Sequence, residues 1–184
     1  MFVEPCAEEP EWSRERPECF WDPGRRLLQT VRKFQFWSQR KGLIARLMVK
    51  LWSVQHRFWS IVTGADIPLE CQIGGGLLIP HPTGIVLHPD CRIGPNCLIF
   101  QQVTVGMLDR SDVPTIGGHV DIGAGARVLG EITIGDHSKI GANAVVLSSF
   151  PPRSVVVGIP ARRVGESDDN EPSGSHSVRA ATLP

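Results

Sequence analysis

From Ile67 onward an aliphatic residue returns at every sixth position, usually followed by glycine. The clearest run is Ile116-Gly117, Ile122-Gly123, Val128, Ile134-Gly135, Ile140-Gly141 and Val146. Upstream the beat falls on Ile67, Ile73, Ile79, Leu87, Ile93, Ile99 and Val105. A period of six is neither the period of about 3.6 of an amphipathic helix nor the period of about two of a half-buried strand. The fifth position of each hexad is also small or apolar: Cys71, Leu77, Thr83, Cys91, Cys97, Val103, Val120, Ala126, Ile132, Ser138 and Ala144. Two inward positions per six, with glycine at the corners, predict a parallel β-solenoid with three hexads to a triangular coil. The repeat supports a little over four coils, on the order of 20 Å of stacked strands. A β-sandwich would alternate with period two and turn every roughly 8–12 residues, and this segment does neither.

The beat breaks twice. Two extra residues lie between Ile79 and Leu87, and five lie between Val105 and Ile116. Insertions in solenoids fall on outer corners and mark the working face, so chemistry is sought between the two breaks.

The rest of the chain divides by charge and pattern. Residues 1–22 are acidic and contain proline, which predicts a mobile terminus. Residues 23–64 are basic, with helical spacing at Leu27, Leu28, Val31 and Phe34, then at Leu43, Leu47, Leu51, Val54 and Phe58 beyond a break at Gly42. This helical pair, with Trp37, Trp52 and Trp59, suits either a membrane-surface anchor over residues 23–62 or a cap on the open end of the solenoid. The cap is the favoured reading, because a solenoid edge must be covered. Residues 65–165 form the solenoid, and 166–184 read as a disordered tail.

A formal net charge of zero argues against a nucleic-acid partner. No apolar run is long enough to span a membrane, and the acidic start lacks a signal-peptide pattern. The five cysteines form no CxxC pair, and Cys71, Cys91 and Cys97 take inward positions, as core thiols in a reducing cytoplasm would.

His81, in the turn at the first break, is the candidate for proton transfer. Asp66 lies fifteen residues earlier, which the repeat places on the same prism face one coil below. A carboxylate that accepts one imidazole N–H fixes the tautomer and strengthens the other nitrogen as a base. His119 and His137 are one coil apart and should stack. Zinc needs three or more converging ligands, and no third histidine is in register, so no metal is expected.

Several of these segments together resemble the serine acetyltransferase family of hexapeptide-repeat acyltransferases. They are Asp66-Ile67, His81-Pro-Thr-Gly84, Gln102-Val-Thr-Val-Gly106, Ile122-Gly-Ala-Gly-Ala126, Ile140-Gly-Ala142 and Gly158-Ile-Pro-Ala-Arg162, and the likeness runs from about Ser53 to Gly165. The resemblance implies a left-handed parallel β-helix, so the expected fold is mainly β, with the short α-helical N-terminal segment that the spacing predicts. It also implies a homotrimer or dimer of trimers with acetyl-CoA as donor, and active sites between neighbouring subunits. In that family's terms His81 is the catalytic histidine and Asp66 its partner. Gly106, Ala124 and Ala142 line the pantetheine groove. Arg162 is placed to face the nucleotide phosphates.

Three departures stand beside the likeness. Pro80 replaces an aspartate, and Asp112-Val113-Pro114-Thr115 replaces an Arg-His-Pro-Lys stretch. Both lost side chains help hold the amino acid acceptor in the family. The N-terminal helical region is also shorter. The acceptor hydroxyl is therefore expected on L-serine or, alternatively, on a sugar of a polysaccharide precursor. A non-catalytic scaffold is a third reading. The inserted loop around Asp109, Arg110 and Asp112 is a candidate lid.

Overall fold

A computed structural model describes residues 6–109 and 112–167. Two helices, α1 (Pro23–Ser38) and α2 (Leu43–Thr63), precede a stack of short strands in three sheets. Within each sheet the stacked strands run parallel, except that the closing strand Ala161–Glu166 pairs antiparallel with Ser154–Gly158. The first face stacks Gln72–Ile73, Arg92–Ile93, Thr115–Ile116 and Thr133–Ile134. The second stacks Leu98–Ile99, Asp121–Ile122, Lys139–Ile140 and Ser154–Gly158. The third stacks Val86–Leu87, Thr104–Gly106, Arg127–Leu129 and Val145–Val146. The chain visits the faces in rotation, which makes a three-sided β-solenoid.

The register dates both insertions. Gln72 pairs with Arg92 and Asp66 with Val86, each twenty residues on. Val86 pairs with Thr104, eighteen on. Arg92 pairs with Thr115, twenty-three on, after which the step returns to eighteen. The two-residue insertion therefore lies at the corner from the second face to the third. The five-residue insertion lies at the corner from the third face to the first.

The aliphatic beat forms the core. Ile67, Ile99, Val105, Ile122, Val128, Ile134 and Val146 are fully buried, each contributing about 1.5–3 kcal/mol by leaving water. The glycine that follows lets coils approach closely: a Cβ on Gly94 would lie 2.5 Å from the Gly117 carbonyl carbon, and one on Gly123 would lie 2.6 Å from the Ala142 nitrogen. The fifth positions are inward with one exception. Thr83 is exposed, because the insertion shifts the register and Ile85 fills the core place instead. Cys71, Cys91 and Cys97 are buried free thiols. Burial pushes the Cys97 thiol up to about 12, and a hydrogen bond with Cys91, aided by burial, raises Cys71. Both therefore stay neutral, as core residues should.

Helix α1 caps the first coil. Leu27, Leu28 and Val31 join the solenoid core. Arg32 donates to the carbonyls of Ile73 at 2.6 Å and Gly74 at 2.7 Å, and Gln35 Nε2 donates to those of Leu69 and Cys71 at 3.1 and 3.0 Å. Side chains thus satisfy an edge that would otherwise expose strand carbonyls.

Helix α2 departs from the expectation. Its predicted apolar face, Leu43, Leu47, Leu51, Val54 and Phe58, is exposed. The opposite side, with Ala45, His56 and Thr63, is the buried one. α1 already covers the solenoid end, so α2 packs inward through Ala45, His56 and Thr63, with Trp59 partly buried against the core.

The acidic N-terminal segment, expected to be mobile, lies against the solenoid from Cys6. Asn96, with no exposed surface, donates from Nδ2 to the carbonyls of Cys6 and Glu9 at 2.6 and 2.7 Å, and its Oδ1 accepts the Glu11 N–H at 2.8 Å. One buried amide at a corner thus pins a strap that composition alone describes as solvated. At the other end Glu166 belongs to the closing strand rather than to the tail, and the remainder of the tail lies outside the described residues.

Candidate active site

The corner from the second face to the third carries the turn Pro80–Gly84. Gly84 takes φ +73°, a conformation that suits glycine. Its N–H donates to the Gly64 carbonyl below at 2.8 Å, and the Thr83 carbonyl accepts the Gln102 N–H above at 2.9 Å. The column then continues upward. The Gln101 carbonyl accepts from Gly125 N–H at 2.9 Å, and the Ala124 carbonyl from Asn143 N–H at 2.8 Å. One corner thus stacks the His81 turn, Gln101-Gln102, Ala124 and Ala142 in order. Above them Val157 pairs with Arg162 in the closing hairpin, whose turn includes a cis Ile159-Pro160 bond. From the His81 turn to Arg162 the column rises by roughly 20–25 Å at ~4.8 Å per level.

Asp66 sits at the foot of the third face, directly below Val86. Its N–H donates to Ile85 O at 2.8 Å and its carbonyl accepts Leu87 N–H at 2.9 Å. Its neighbour Ile67 is fully buried, so the alternation of the strand sends the Asp66 carboxylate outward. His81 is exposed too, at the corner that opens onto this face. Among the described residues no hydrogen bond joins the two side chains. α2 ends at Gly64 in a left-handed C-cap, which delivers the chain to Asp66 two residues later.

Gly106 stands apart from the alanines. It ends the strand Thr104–Gly106 at the far edge of the third face and pairs with Leu129. Its carbonyl accepts the Gly130 N–H at 3.1 Å. Within one chain Ala124 and Ala142 therefore share a column, and Gly106 lies across the face beside the five-residue insertion. Asp109 and Asp112 lie within the inserted loop, joined by a backbone bond from Asp112 N–H to Asp109 O at 3.3 Å, and Arg110 lies outside the described residues. Arg162 is exposed, with Nη1 on the Ala161 carbonyl at 3.0 Å.

Two residues here have no counterpart in the sequence reading. Gln101 Oε1 is buried without a hydrogen-bond partner among the described residues, one level above the His81 turn. A buried acceptor left open costs about 1–3 kcal/mol, a cost that a water or a ligand donor would remove. Arg127, on the third face, donates from Nη1 to Thr104 Oγ1 at 3.0 Å. The adjoining Gln101-Gln102 pair at a solenoid corner was the available signal.

His119 and His137 stack as expected, with Nδ1 atoms 3.0 Å apart, on a different corner from His81. Among the described residues no three His, Cys, Asp or Glu side chains converge as metal ligands do. His56 lies inside the helical pair, its ring between Thr30 Oγ1 at 3.0 Å and Ser60 Oγ at 3.4 Å. Burial lowers its pKa below the usual histidine range, against opposing effects of the Ile67 backbone and of the Glu70 and Asp66 charges.

Comparison with known proteins agrees with this architecture. Residues 114–148 match the family described as "Bacterial transferase hexapeptide (six repeats)". The chain is 39% identical over 150 residues to a serine acetyltransferase of Mycobacterium tuberculosis, covering 80% of this chain and 63% of that one. It is 41% identical over 146 residues to a serine acetyltransferase of Staphylococcus xylosus, covering 74% and 64%. The serine acetyltransferase of Brucella abortus in complex with coenzyme A superimposes with a TM-score of 0.69 at 31% identity, over 80% of this chain and 58% of the other. The chain thus spans less than two thirds of the length of these curated relatives.

Proposed function

The chain belongs to the serine acetyltransferase family, and from that premise we propose that it transfers the acetyl group of acetyl-CoA to the hydroxyl of L-serine. The observation that carries the proposal is the continuous corner column from the His81 turn through Ala124 and Ala142 to Arg162. Small side chains there leave backbone amides open to a slender thioester arm, and a guanidinium at the top suits phosphate.

In this reading His81 takes the proton of the acceptor hydroxyl while Asp66 receives the other imidazole N–H. The freed oxygen attacks the thioester carbonyl. The tetrahedral oxyanion is held by N–H groups at the groove. When it collapses, the C–S bond breaks and the protonated His81 returns its proton to the departing thiolate. No metal and no covalent enzyme intermediate are needed. The solenoid winds left-handed, and the chain works as a homotrimer or dimer of trimers, with Gly106 of one protomer facing the alanine column of its neighbour across the donor. The cytoplasm is the compartment this reading places it in, in keeping with the free thiols of Cys71, Cys91 and Cys97. Gln101 Oε1 is a ready acceptor for a donor on substrate or partner.

A second acceptor is kept because of two positions. Pro80 precedes the histidine and Val113 follows the loop, so neither supplies an ionisable group to an amino acid. A sugar hydroxyl needs none. Thiol release from acetyl-CoA, measured first with L-serine and then with a panel of sugars, decides between them. Release with neither acceptor rejects acyl transfer and leaves a scaffold.

A further inference from the structure

Helix α2 turns six of its apolar residues away from the rest of the protein. Leu43, Leu47, Leu51, Val54, Phe58 and Ile61 are exposed, from 44% at Leu51 to 83% at Leu43 and Ile61. Their spacing of three and four places them on one stripe, at ~100° per residue. Arg46, Lys50 and Arg57, all exposed, fall along one flank of that stripe by the same rotation. Single exposed apolar residues need no explanation, but six in helical register do.

We propose that the outer stripe of α2 lies on an anionic membrane surface. Charge selects this occupant. Arg46, Lys50 and Arg57 make no ion pair among the described residues, whereas Arg25 and Arg32 are already paired with Glu18, Asp22 and Glu15. A copy of the same helix laid against it would oppose like charges, whereas lipid phosphates complement them. The apolar side chains enter the boundary between headgroups and acyl chains, and the long cations reach up to the phosphates. Phe20 and Trp21, exposed at 85% and 61%, lie beside the same helix, Trp21 with its ring 5.9 Å from that of Trp59. Aromatic rings of this kind favour the membrane interface. Among the described residues no helix is long and apolar enough to cross a bilayer, so α2 lies on the surface rather than through it. The docking is independent of which acceptor the enzyme uses. It would hold the Asp66 end of the solenoid near the lipid, since α2 ends three residues before Asp66.

The test is co-sedimentation of the full chain with vesicles of phosphatidylcholine alone and of phosphatidylcholine mixed with phosphatidylglycerol. Binding to the anionic vesicles at least ~10-fold stronger, and weakened by salt, is expected. The triple variant Arg46→Glu, Lys50→Glu, Arg57→Glu should abolish that preference, and Leu47→Ser with Phe58→Ser should weaken binding without loss of helical circular dichroism. Light scattering of wild type and the serine variant is the companion measurement. A drop in oligomer mass for that variant, with no vesicle binding by wild type, overturns the proposal in favour of an interface between copies. Equal binding to both vesicle types, or binding that survives the triple variant, overturns it as well.

Discussion

The Thr83 carbonyl accepts the Gln102 N–H at 2.9 Å, which fastens the turn carrying His81 to the foot of the column that holds Ala124 and Ala142. In the proposed reading this fixes the candidate base and the candidate donor groove to one rigid corner, the arrangement on which proximity effects depend.

His81→Ala should lower kcat by roughly 10²–10⁴-fold, the usual contribution of a positioned general base. His81 is exposed, so the melting temperature and coenzyme A affinity should stay near wild type. Thiol release and calorimetric titration with coenzyme A measure the two halves. Asp66→Asn should cost less, because it removes orientation rather than the base. Wild-type turnover in His81→Ala would remove this histidine from the mechanism.

Ala142→Trp should raise KM for acetyl-CoA by at least ~10-fold, by filling the groove that small residues leave open. Ala142 is exposed in the single chain, so the fold should tolerate the ring. An unchanged KM would place the donor elsewhere.

Arg32→Ala should destabilise the chain by about 3 kcal/mol. Arg32 bonds the Ile73 and Gly74 carbonyls and pairs with Glu15 at 2.8 Å, and Glu15 is 8% exposed. Removing the guanidinium leaves a nearly buried carboxylate without its cation, held by the Leu77 N–H at 3.1 Å, and takes the Arg32 donors from two carbonyls. Urea unfolding gives the difference, and a change below about 0.5 kcal/mol would mean that water replaces the cap.

Stability should fall in acid partly through His56. Burial lowers its folded pKa below the unfolded value of about 6.5. Between those two values the unfolded chain binds more protons, so stability rises with pH across that window. The contribution is complete above the unfolded value and is lost as pH drops below it. Melting temperatures of wild type and His56→Gln, compared from neutral to mildly acid pH, should show a shallower slope in the variant. Parallel slopes would assign the acid sensitivity to other groups.

Much of the fold is legible because the hexad is a local rule. Every coil meets the same requirement for an inward aliphatic residue and a corner glycine, so Ile116 to Val146 can be read without knowing any long-range contact. The insertions are legible for the same reason, as interruptions of a count, and the register of Asp66 with Val86 and of Arg92 with Thr115 locates them at corners. The count places Thr83 inward, whereas it is exposed, because a count cannot say which residue of an inserted turn is looped out.

The candidate site is only half legible. That Ala124 and Ala142 share the His81 corner follows from the period, but that Gly106 lies on the opposite edge of the third face does not. Gln101 was missed because its significance is a buried oxygen without a donor, which exists only once the coils are stacked.

By itself the sequence determined the solenoid, its two broken corners and the identity of the proton-transfer candidate, because a repeat dictates how each segment meets the next. Only the tertiary structure decided which way the helices face and what the N-terminal segment does. The periodicity of α2 defines a stripe but not its partner. α1 had already taken the open end of the core through Leu27, Leu28 and Val31, so the stripe of α2 was left outside. The strap, likewise, is held by Asn96, about ninety residues away in sequence, and no local pattern encodes a contact of that range.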